Sequence, residues 1–239
     1  MLAAHTIFLL LTHHVVVQGR VKVIQFAMAK CPDTTSWTAH FNNMVMGNEK
    51  LRAFIDFEQS FVGGDIGEGP VDENNWMNCF HGESECDGHA IMLCAKELSN
   101  SSYDWFDMVV CMDGKDGLPG VTYNNSYSIP QIAPSCSAQV NLDWDAISAC
   151  ASSPLGAQLL HDSHYNTMNL FEAHGGYSPE GHGYKPPLIP NIWIFDSNTN
   201  LPTQYNNKFV TAEDPYVDLL QRICAAASPS DPDLPPECL

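Results

Sequence analysis

The chain has 239 residues, of which 44% are hydrophobic, and this is enough to bury one sizeable core or a core with an inserted subdomain. Its 28 acidic residues against 10 basic ones give a net charge of −18, which repels nucleic-acid phosphates and anionic lipid surfaces. We therefore expect one folded unit and exclude nucleic acid as a partner.

The first 19 residues, MLAAHTIFLLLTHHVVVQG, contain an apolar stretch that His13 and His14 interrupt. Because the stretch is short, we expect no membrane span and interpret residues 1–19 as a signal peptide. The alternative is an N-terminal strand of the mature domain, since no Lys or Arg precedes the apolar stretch. Export would permit disulfides, and it would make Asn100 and Asn124 glycosylation candidates, because each begins an Asn-x-Ser triplet.

A strand that leads into a helix is predicted at the start of the mature chain. β-branched and aromatic residues from Val21 to Met28 suit a buried strand, and Pro32 suits the first turn of a helix. Apolar residues follow at helical spacing, namely Trp37, Phe41, Met44 and Val45. Cys31 then lies at the helix N-terminus, where unpaired N–H groups and the helix dipole favour the thiolate. We expect a nucleophile with a depressed pKa; the alternative is that Cys31 belongs to a disulfide framework.

The number of cysteines bears on that choice. Nine is an odd number, so at least one cysteine is free or pairs outside the chain. If Cys31 is set aside, an even set remains, for which roughly 105 pairings are open. The eight disulfide candidates are Cys79, Cys86, Cys94, Cys111, Cys136, Cys150, Cys224 and Cys238.

The middle of the chain changes from strand to helix patterns. Leu51 to Val62 alternates as a second strand does, which makes a strand–helix–strand unit with a parallel, right-handed crossover. Helical patterns follow, such as Ala90 to Leu98 and Asp143 to Leu160, with a break at Pro154. We interpret residues 70–170, approximately, as an inserted helical subdomain.

The end of the chain returns to a strand and a helix. Ile192 to Phe195 is a short apolar strand, and Asp214-Pro215 opens a helix. The predicted buried stripe of that helix consists of Tyr216, Leu219, Leu220 and Ile223. Cys224 and Cys238 bracket a tail that a disulfide would tie down. The order of elements predicts an α/β, thioredoxin-like fold with an inserted, disulfide-rich helical subdomain.

One motif in the helical segment resembles a known family. The run Cys79-Phe80-His81-Gly82-Glu83-Ser84-Glu85-Cys86 continues to Cys94. It resembles the signature Cys-Gln-His-Gly-x-x-Glu-Cys-x-x-Asn-x-x-x-x-Cys of the gamma-interferon-inducible lysosomal thiol reductases. Six positions match, namely Cys79, His81, Gly82, Glu85, Cys86 and Cys94, while Phe80 replaces the Gln and His89 the Asn. The strand before Cys31, Pro190 and the later cysteines also lie where the family would put them, so that the resemblance covers nearly the whole mature chain.

The resemblance implies a thioredoxin-like domain over residues 20–239 that reduces protein disulfides. It implies that Cys31 is the nucleophile, that the signature is a structural mark of the insertion, and that its cysteines are disulfide partners. His81 and Glu85 are candidate proton shuttles for thiol exchange, but we favour a structural role for them. The implied compartment is the endosomal or lysosomal lumen, or the outside of the cell.

The serious departure from the family is in the active site. The usual active site is Cys-x-x-Cys, in which the second thiol breaks the mixed disulfide, and here Thr34 takes that place. A hydroxyl cannot perform that step, although it can donate a hydrogen bond to the Cys31 thiolate. We therefore predict a monothiol enzyme that depends on an external small thiol.

Pro190 is expected to be the cis-proline that faces the active-site cysteine in thioredoxin-like folds and shapes the peptide groove. This role comes from the resemblance alone. Pro187 is the rival position, and an ordinary trans proline is the other alternative, since cis is the minority form of X–Pro bonds.

Two histidines, His161 and His164, are spaced by three residues on a predicted helix and are candidates for half of a metal site. We favour a solvated helix face, because no further ligand set is evident. We predict neither a metal nor a cofactor.

Two other functions are compatible with the sequence. One is a non-catalytic thioredoxin-fold protein that uses the groove to bind peptides after losing turnover. The other is a disulfide-rich secreted module in which Cys31 is bridged. The partners expected of the favoured reductase are disulfide-bonded proteins and an external thiol.

Overall fold

Two strands near the start of the chain form a parallel pair. The structure is a computed structural model that describes residues 20–64, 76–99, 103–113, 129–174, 189–205, 215–227 and 234–238. Strand β1 is Val21–Ala27 and strand β2 is Ile55–Phe61. They pair in parallel along their whole length, with Val21 opposite Ile55. The predicted parallel strand–helix–strand unit is therefore present.

The first helix begins beside the candidate nucleophile. Helix α1 is Pro32–Phe41, and a π-helical turn, Asn42–Met46, follows it directly. Trp37, Phe41 and Val45 are buried, as the helical spacing predicts. Met44 is exposed instead, because the wider π-helical turn shifts the face that its side chain occupies.

The second strand starts later than predicted. Helix α2 is Glu49–Phe54, so the prediction of a strand from Leu51 is wrong for its first four residues. Asn48 caps this helix, since its side-chain oxygen accepts hydrogen bonds from the N–H groups of Lys50 and Leu51. Leu51 and Phe54 are both buried at helical spacing, which satisfies the apolar pattern with a helix.

The sheet has four described strands in the order β2-β1-β3-β4, where β3 is Asn191–Phe195 and β4 is Pro202–Tyr205. β3 is antiparallel to β1, and β4 is antiparallel to β3. Helix α8, Pro215–Ala226, packs against β3 and β1. A parallel β–α–β unit beside two antiparallel strands and a last helix is the thioredoxin-like arrangement, and it confirms the predicted fold class.

Five described helices lie between β2 and β3, namely α3 (Glu83–Leu98), α4 (Asp104–Met112), α5 (Ile129–Gln139), α6 (Trp144–Ala151) and α7 (Pro154–Ala173). The predicted break at Pro154 is correct, because α6 ends before it and Ser153 caps α7 by accepting the Leu155 N–H. The disulfide Cys94–Cys150 joins α3 to α6. A second disulfide, Cys111–Cys136, joins α4 to α5.

The side chains of β1 alternate between two buried apolar clusters. Val21 and Val23 belong to the larger cluster, which the helices between β2 and β3 help to form. Ile24 and Phe26 point to the smaller cluster, whose other members are Met28, Cys31, Val62, Phe171, Trp193 and Phe195. We call this smaller set the Cys31 cluster. It places the candidate nucleophile against the sheet.

Several sequence predictions fall outside the described residues. They concern residues 1–19, Asn100, Asn124, Pro187 and Asp214. Among the described helices, none is long and apolar enough to cross a membrane.

Candidate active site

Cys31 lies at the junction between β1 and α1. Its N–H donates to the Met28 carbonyl at 3.1 Å, which closes a four-residue turn, Met28–Cys31. Cys31 is the N-cap of α1, and Pro32 is in the first helical turn. The thiol is free, and 9% of the residue's surface is exposed.

The pKa of Cys31 differs from the expectation. Burial raises the pKa of the thiol, because the thiolate loses solvation inside the protein. Backbone hydrogen bonds from Thr34 and Asp33 lower the pKa, as a helix start should, but they offset the burial only in part. The prediction of a depressed pKa is therefore wrong in its net direction and right about the stabilising N–H groups.

Thr34 occupies the position of the second active-site cysteine and is buried. The Met28 N–H donates to its Oγ1 at 3.4 Å, and its hydroxyl interacts with Cys31 in the sense that lowers the thiol pKa. Since the oxygen accepts from Met28, the hydroxyl hydrogen is available to the Cys31 sulfur.

The surroundings of the thiol are apolar. The Ile189–Pro190 peptide bond is cis, as expected for this position, and Pro190 is buried. Ile189 packs against the Cys31 cluster together with Phe80 and Trp76. The cluster that contains Cys31 is thus in contact with the residue before the cis-proline and with Phe80 of the signature.

The other eight cysteines form four disulfides, so that Cys31 is the one free thiol among nine cysteines that are all described. The pairs are Cys79–Cys86, Cys94–Cys150, Cys111–Cys136 and Cys224–Cys238. The alternative prediction, that Cys31 belongs to the disulfide framework, is therefore wrong. Cys224–Cys238 ties the tail to α8.

The signature surrounds a buried acidic side chain, Glu85, in the first turn of α3. Its Oε1 accepts the His81 N–H at 3.2 Å, and its Oε2 accepts from His81 Nδ1 and from the Lys30 N–H, the latter at 3.3 Å. Gly82 precedes α3 with a φ of 83°, a conformation that favours glycine. Lys30 also donates its Nζ to Ser84 Oγ at 2.9 Å. The signature therefore contacts the residue next to Cys31.

Two histidines that are far apart in the sequence meet next to the Met28–Cys31 turn. His89 Nδ1 lies 3.0 Å from His164 Nε2, and both side chains are buried. The prediction of a solvated helix face is correct for His161, which is exposed, and wrong for His164, which α7 turns towards α3. Burial lowers the pKa of His89 well below its usual value and that of His164 to about 4. Both imidazoles are therefore neutral near neutral pH.

Cys79 Sγ, His89 and His164 place three potential metal ligands within 4.8 Å of one another. Cys79 is bonded to Cys86, however, and the Ala29 N–H donates to His89 Nε2 at 3.1 Å. The proton of neutral His89 then lies on Nδ1, the atom that faces His164 and Cys79. A ring nitrogen that carries a proton cannot bind a metal, so this group is better described as a hydrogen-bonded pair beside a disulfide.

The sequence missed His89 and His164 as neighbours of the site. His89 is 60 residues from Ala29, and 75 residues separate it from His164. No local spacing could reveal those contacts. The one available signal is that His89 stands at a signature position.

Solved structures with a similar fold include several oxidoreductases. BdbD from Bacillus subtilis matches with a TM-score of 0.48, 11% identity and 86% coverage of each chain. DsbA from Xylella fastidiosa matches with a TM-score of 0.43 and 16% identity, covering 87% of this chain and 84% of that one. The cytosolic disulfide reductase DsbM from Pseudomonas aeruginosa matches with a TM-score of 0.49 and 10% identity, covering 84% of this chain and 98% of that one.

The sequence comparisons concern the region that holds the candidate site. No curated protein matches the chain significantly. The profile of one family matches residues 21–140, which is half of the chain and contains Cys31 and the whole signature. This is less than the nearly complete coverage that the resemblance predicts, since Cys150 and Pro190 lie beyond it. On this match the chain belongs to the gamma interferon inducible lysosomal thiol reductase family.

Proposed function

We propose that the protein is a thiol–disulfide oxidoreductase that reduces protein disulfides through Cys31 alone. The observation that carries the proposal is the position of the one free thiol, which lies at the N-terminus of α1 and belongs to the buried cluster against which Ile189, the residue before the cis-proline, packs. Family membership supports the reaction class. Thr34 distinguishes this chain from a dithiol enzyme.

The reaction begins with attack by the Cys31 thiolate on one sulfur of a substrate disulfide. The substrate S–S bond breaks, its second sulfur leaves as a thiolate, and a mixed disulfide joins Cys31 to the substrate. An external thiolate then attacks Cys31 Sγ and releases the first substrate sulfur. A second external thiol removes the first from Cys31 as a disulfide. One substrate disulfide and two external thiols thus become two substrate thiols and one small-molecule disulfide.

The residues around Cys31 have separate roles in this proposal. The N–H groups of Asp33 and Thr34 and the Thr34 hydroxyl stabilise the thiolate that attacks and later leaves. We assign Pro190 and Ile189 to the border of a groove for the substrate strand, because Ile189 packs against the Cys31 cluster. Four disulfides suit an oxidising, extracytoplasmic compartment, and we propose the secretory route or the endolysosomal lumen, with residues 1–19 as the signal peptide.

A second candidate function is a binding protein that keeps the groove without turnover. Two observations favour it, namely the raised pKa of Cys31 and the absence of a thiol at Thr34. At acidic pH a raised pKa leaves little thiolate, and only the thiolate attacks a disulfide.

The dependence of turnover on glutathione separates the two functions. With a model protein disulfide as substrate, wild-type turnover should rise with glutathione concentration, because the second step needs an outside thiol. Thr34→Cys should reduce that dependence, since residues at i and i+3 lie on the same side of a helix and the new thiol can attack the mixed disulfide.

Cys31→Ser is the control in both backgrounds and should abolish turnover. Absence of any mixed disulfide in the wild type, together with no gain from Thr34→Cys, would favour the binding protein. Trapping the mixed disulfide by acid quenching and mass spectrometry distinguishes these results.

A further inference from the structure

The turn that carries Cys31 is held from outside by helix α3. Ala29 and Lys30 are the central residues of the turn, and their N–H groups have no acceptor within it, because the turn uses only the Cys31 N–H and the Met28 carbonyl. His89 Nε2 accepts the Ala29 N–H at 3.1 Å, and Glu85 Oε2 accepts the Lys30 N–H at 3.3 Å. Two successive backbone donors beside the nucleophile therefore bind side chains of one helix.

The two acceptors occupy one face of α3. Glu85 and His89 are four residues apart, which places them one above the other on the helix. Between them Gly88 lets the helix approach the turn closely. A Cβ atom added to Gly88 would lie 2.9 Å from the Ala29 Cβ and 2.1 Å from Ile129 Cδ1. Any larger residue at this position would push α3 away from the turn.

Each acceptor is itself held in place. His81 contacts both oxygens of Glu85, through its backbone N–H and its Nδ1. The proton on His89 Nδ1 points to His164 Nε2 at 3.0 Å, and the His89 ring stacks on Phe61 with a centroid distance of 4.4 Å. His164 Nδ1 faces the Trp76 carbonyl, without a hydrogen bond of good geometry. The contacts run from the turn to β2 and α7.

We propose that Glu85, Gly88 and His89 are positioning residues for the reaction of Cys31, because they fix the turn and thereby hold the thiol in its buried place at the start of α1. This inference deepens the proposed oxidoreductase function and rests on it. It gives the signature a role in the active site beyond its disulfide. Without these contacts the turn would loosen and the thiol would become more exposed.

Hydrogen exchange on the wild-type protein gives the first test and needs no variant. The Ala29 and Lys30 amides should exchange with strong protection, comparable to that of β1, because both are bonded to buried groups. If they exchange like the amides of exposed turns, α3 does not hold the turn and the proposal is wrong. This result is independent of turnover.

The pH profile of Cys31 alkylation by iodoacetamide gives the second test. His89→Ala, Glu85→Ala and Gly88→Ala should each lower the midpoint, because a loosened turn relieves the burial that raises the pKa of Cys31. A shift of one pKa unit raises the rate at neutral pH about tenfold. His89→Gln should retain the wild-type profile, since an amide oxygen can accept the Ala29 N–H.

Asp87→Ala is the matched control, because Asp87 is an exposed residue between Glu85 and His89 on the same helix. The proposal is overturned if none of the three substitutions changes the midpoint of the alkylation profile. It is also overturned if Asp87→Ala lowers the midpoint as much as they do. Thermal melts identify a variant that fails to fold, and the exchange of the Ala29 and Lys30 amides then decides. The two proposals can fail separately. If the three substitutions lower the alkylation midpoint but the wild-type protein forms no mixed disulfide with a substrate, the proposed function is wrong and the role of α3 in holding the turn stands.

Discussion

The hydroxyl of Thr34 stands one helical turn from Cys31, where a dithiol enzyme has its second sulfur. It accepts the Met28 N–H and is directed at the Cys31 sulfur. A hydroxyl can stabilise a thiolate by hydrogen bonding but cannot form a disulfide. The substitution therefore separates two functions of the second cysteine, retaining the hydrogen bond and losing the resolving step.

Thr34→Val tests the hydrogen bond, since valine has nearly the shape of threonine without its donor. Removing the donor should raise the pKa of Cys31 further and slow alkylation at neutral pH by roughly 10- to 150-fold, because a hydrogen bond to a charged group contributes roughly 1.5–3 kcal/mol. Thr34→Ser keeps the hydroxyl and is the control. Equal rates for the valine and serine variants would contradict a role for the hydroxyl.

The sequence was sufficient to predict some residues of the site, and the reasons are local. A buried strand followed by Cys31 and Pro32 marks a helix start, and an odd number of cysteines points to one free thiol. The degree of burial is a tertiary property, so the sign of the Cys31 pKa shift was wrong. The acceptors on the turn were missed because Glu85 and His89 reach it from a distant part of the chain.

Two of the disulfides, one among the helices between β2 and β3 and one at the end of the chain, close loops of different length. Cys94–Cys150 spans 56 residues and connects α3 to α6, whereas Cys224–Cys238 spans 14. In the chain-entropy view, closing the longer loop removes more freedom from the unfolded chain, and the two contributions are about 4 and about 3 kcal/mol. The helix that holds the Cys31 turn thus carries the larger stabilisation.

Replacing both cysteines of a pair by alanine avoids a new free thiol. The Cys94→Ala/Cys150→Ala protein should lose about 4 kcal/mol of unfolding free energy, more than the Cys224→Ala/Cys238→Ala protein. Urea unfolding under non-reducing conditions measures both losses. The reverse order of the two variants would show that local packing, and not loop closure, decides their stability.

At the level of elements, strong local signals were interpreted correctly and weak ones were not. Ser153 followed by Pro154 is a strong local signal for a helix start, because serine caps the helix and proline suits its first turn. The segment from Leu51 fits either a strand or a helix, and the Asn48 cap decided in favour of the helix. Strand β4 was not predicted, because it has only four residues and pairs along one side with β3. Its partner, and not its composition, makes it a strand.

Buried titratable groups link the stability of the whole molecule to pH in opposite directions. Burial raises the pKa of Asp113, at the end of α4, to about 7, so this carboxyl favours the folded state as pH falls from 7 towards its usual 3.8. Burial lowers the pKa values of His89 and His164, so the pair favours the folded state above the usual 6.5 and loses that contribution as pH falls. At acidic pH these two effects on the unfolding free energy would oppose each other.

His164→Gln in an Asp113→Asn background isolates the histidine contribution. Between pH 6.5 and about 4, the unfolded chain binds a proton at His164 that the folded chain excludes, so the unfolding free energy should fall as pH falls. For His164 alone the loss at about pH 5 is about 2 kcal/mol. His164→Gln should reduce the loss of unfolding free energy between neutral pH and about pH 5 by that amount, and the slope against pH should become shallower. Urea unfolding across this pH range measures the slope, which a constant loss of packing in the variant would not change. An unaltered slope would mean that His164 takes up its proton in the folded protein as readily as in the unfolded chain.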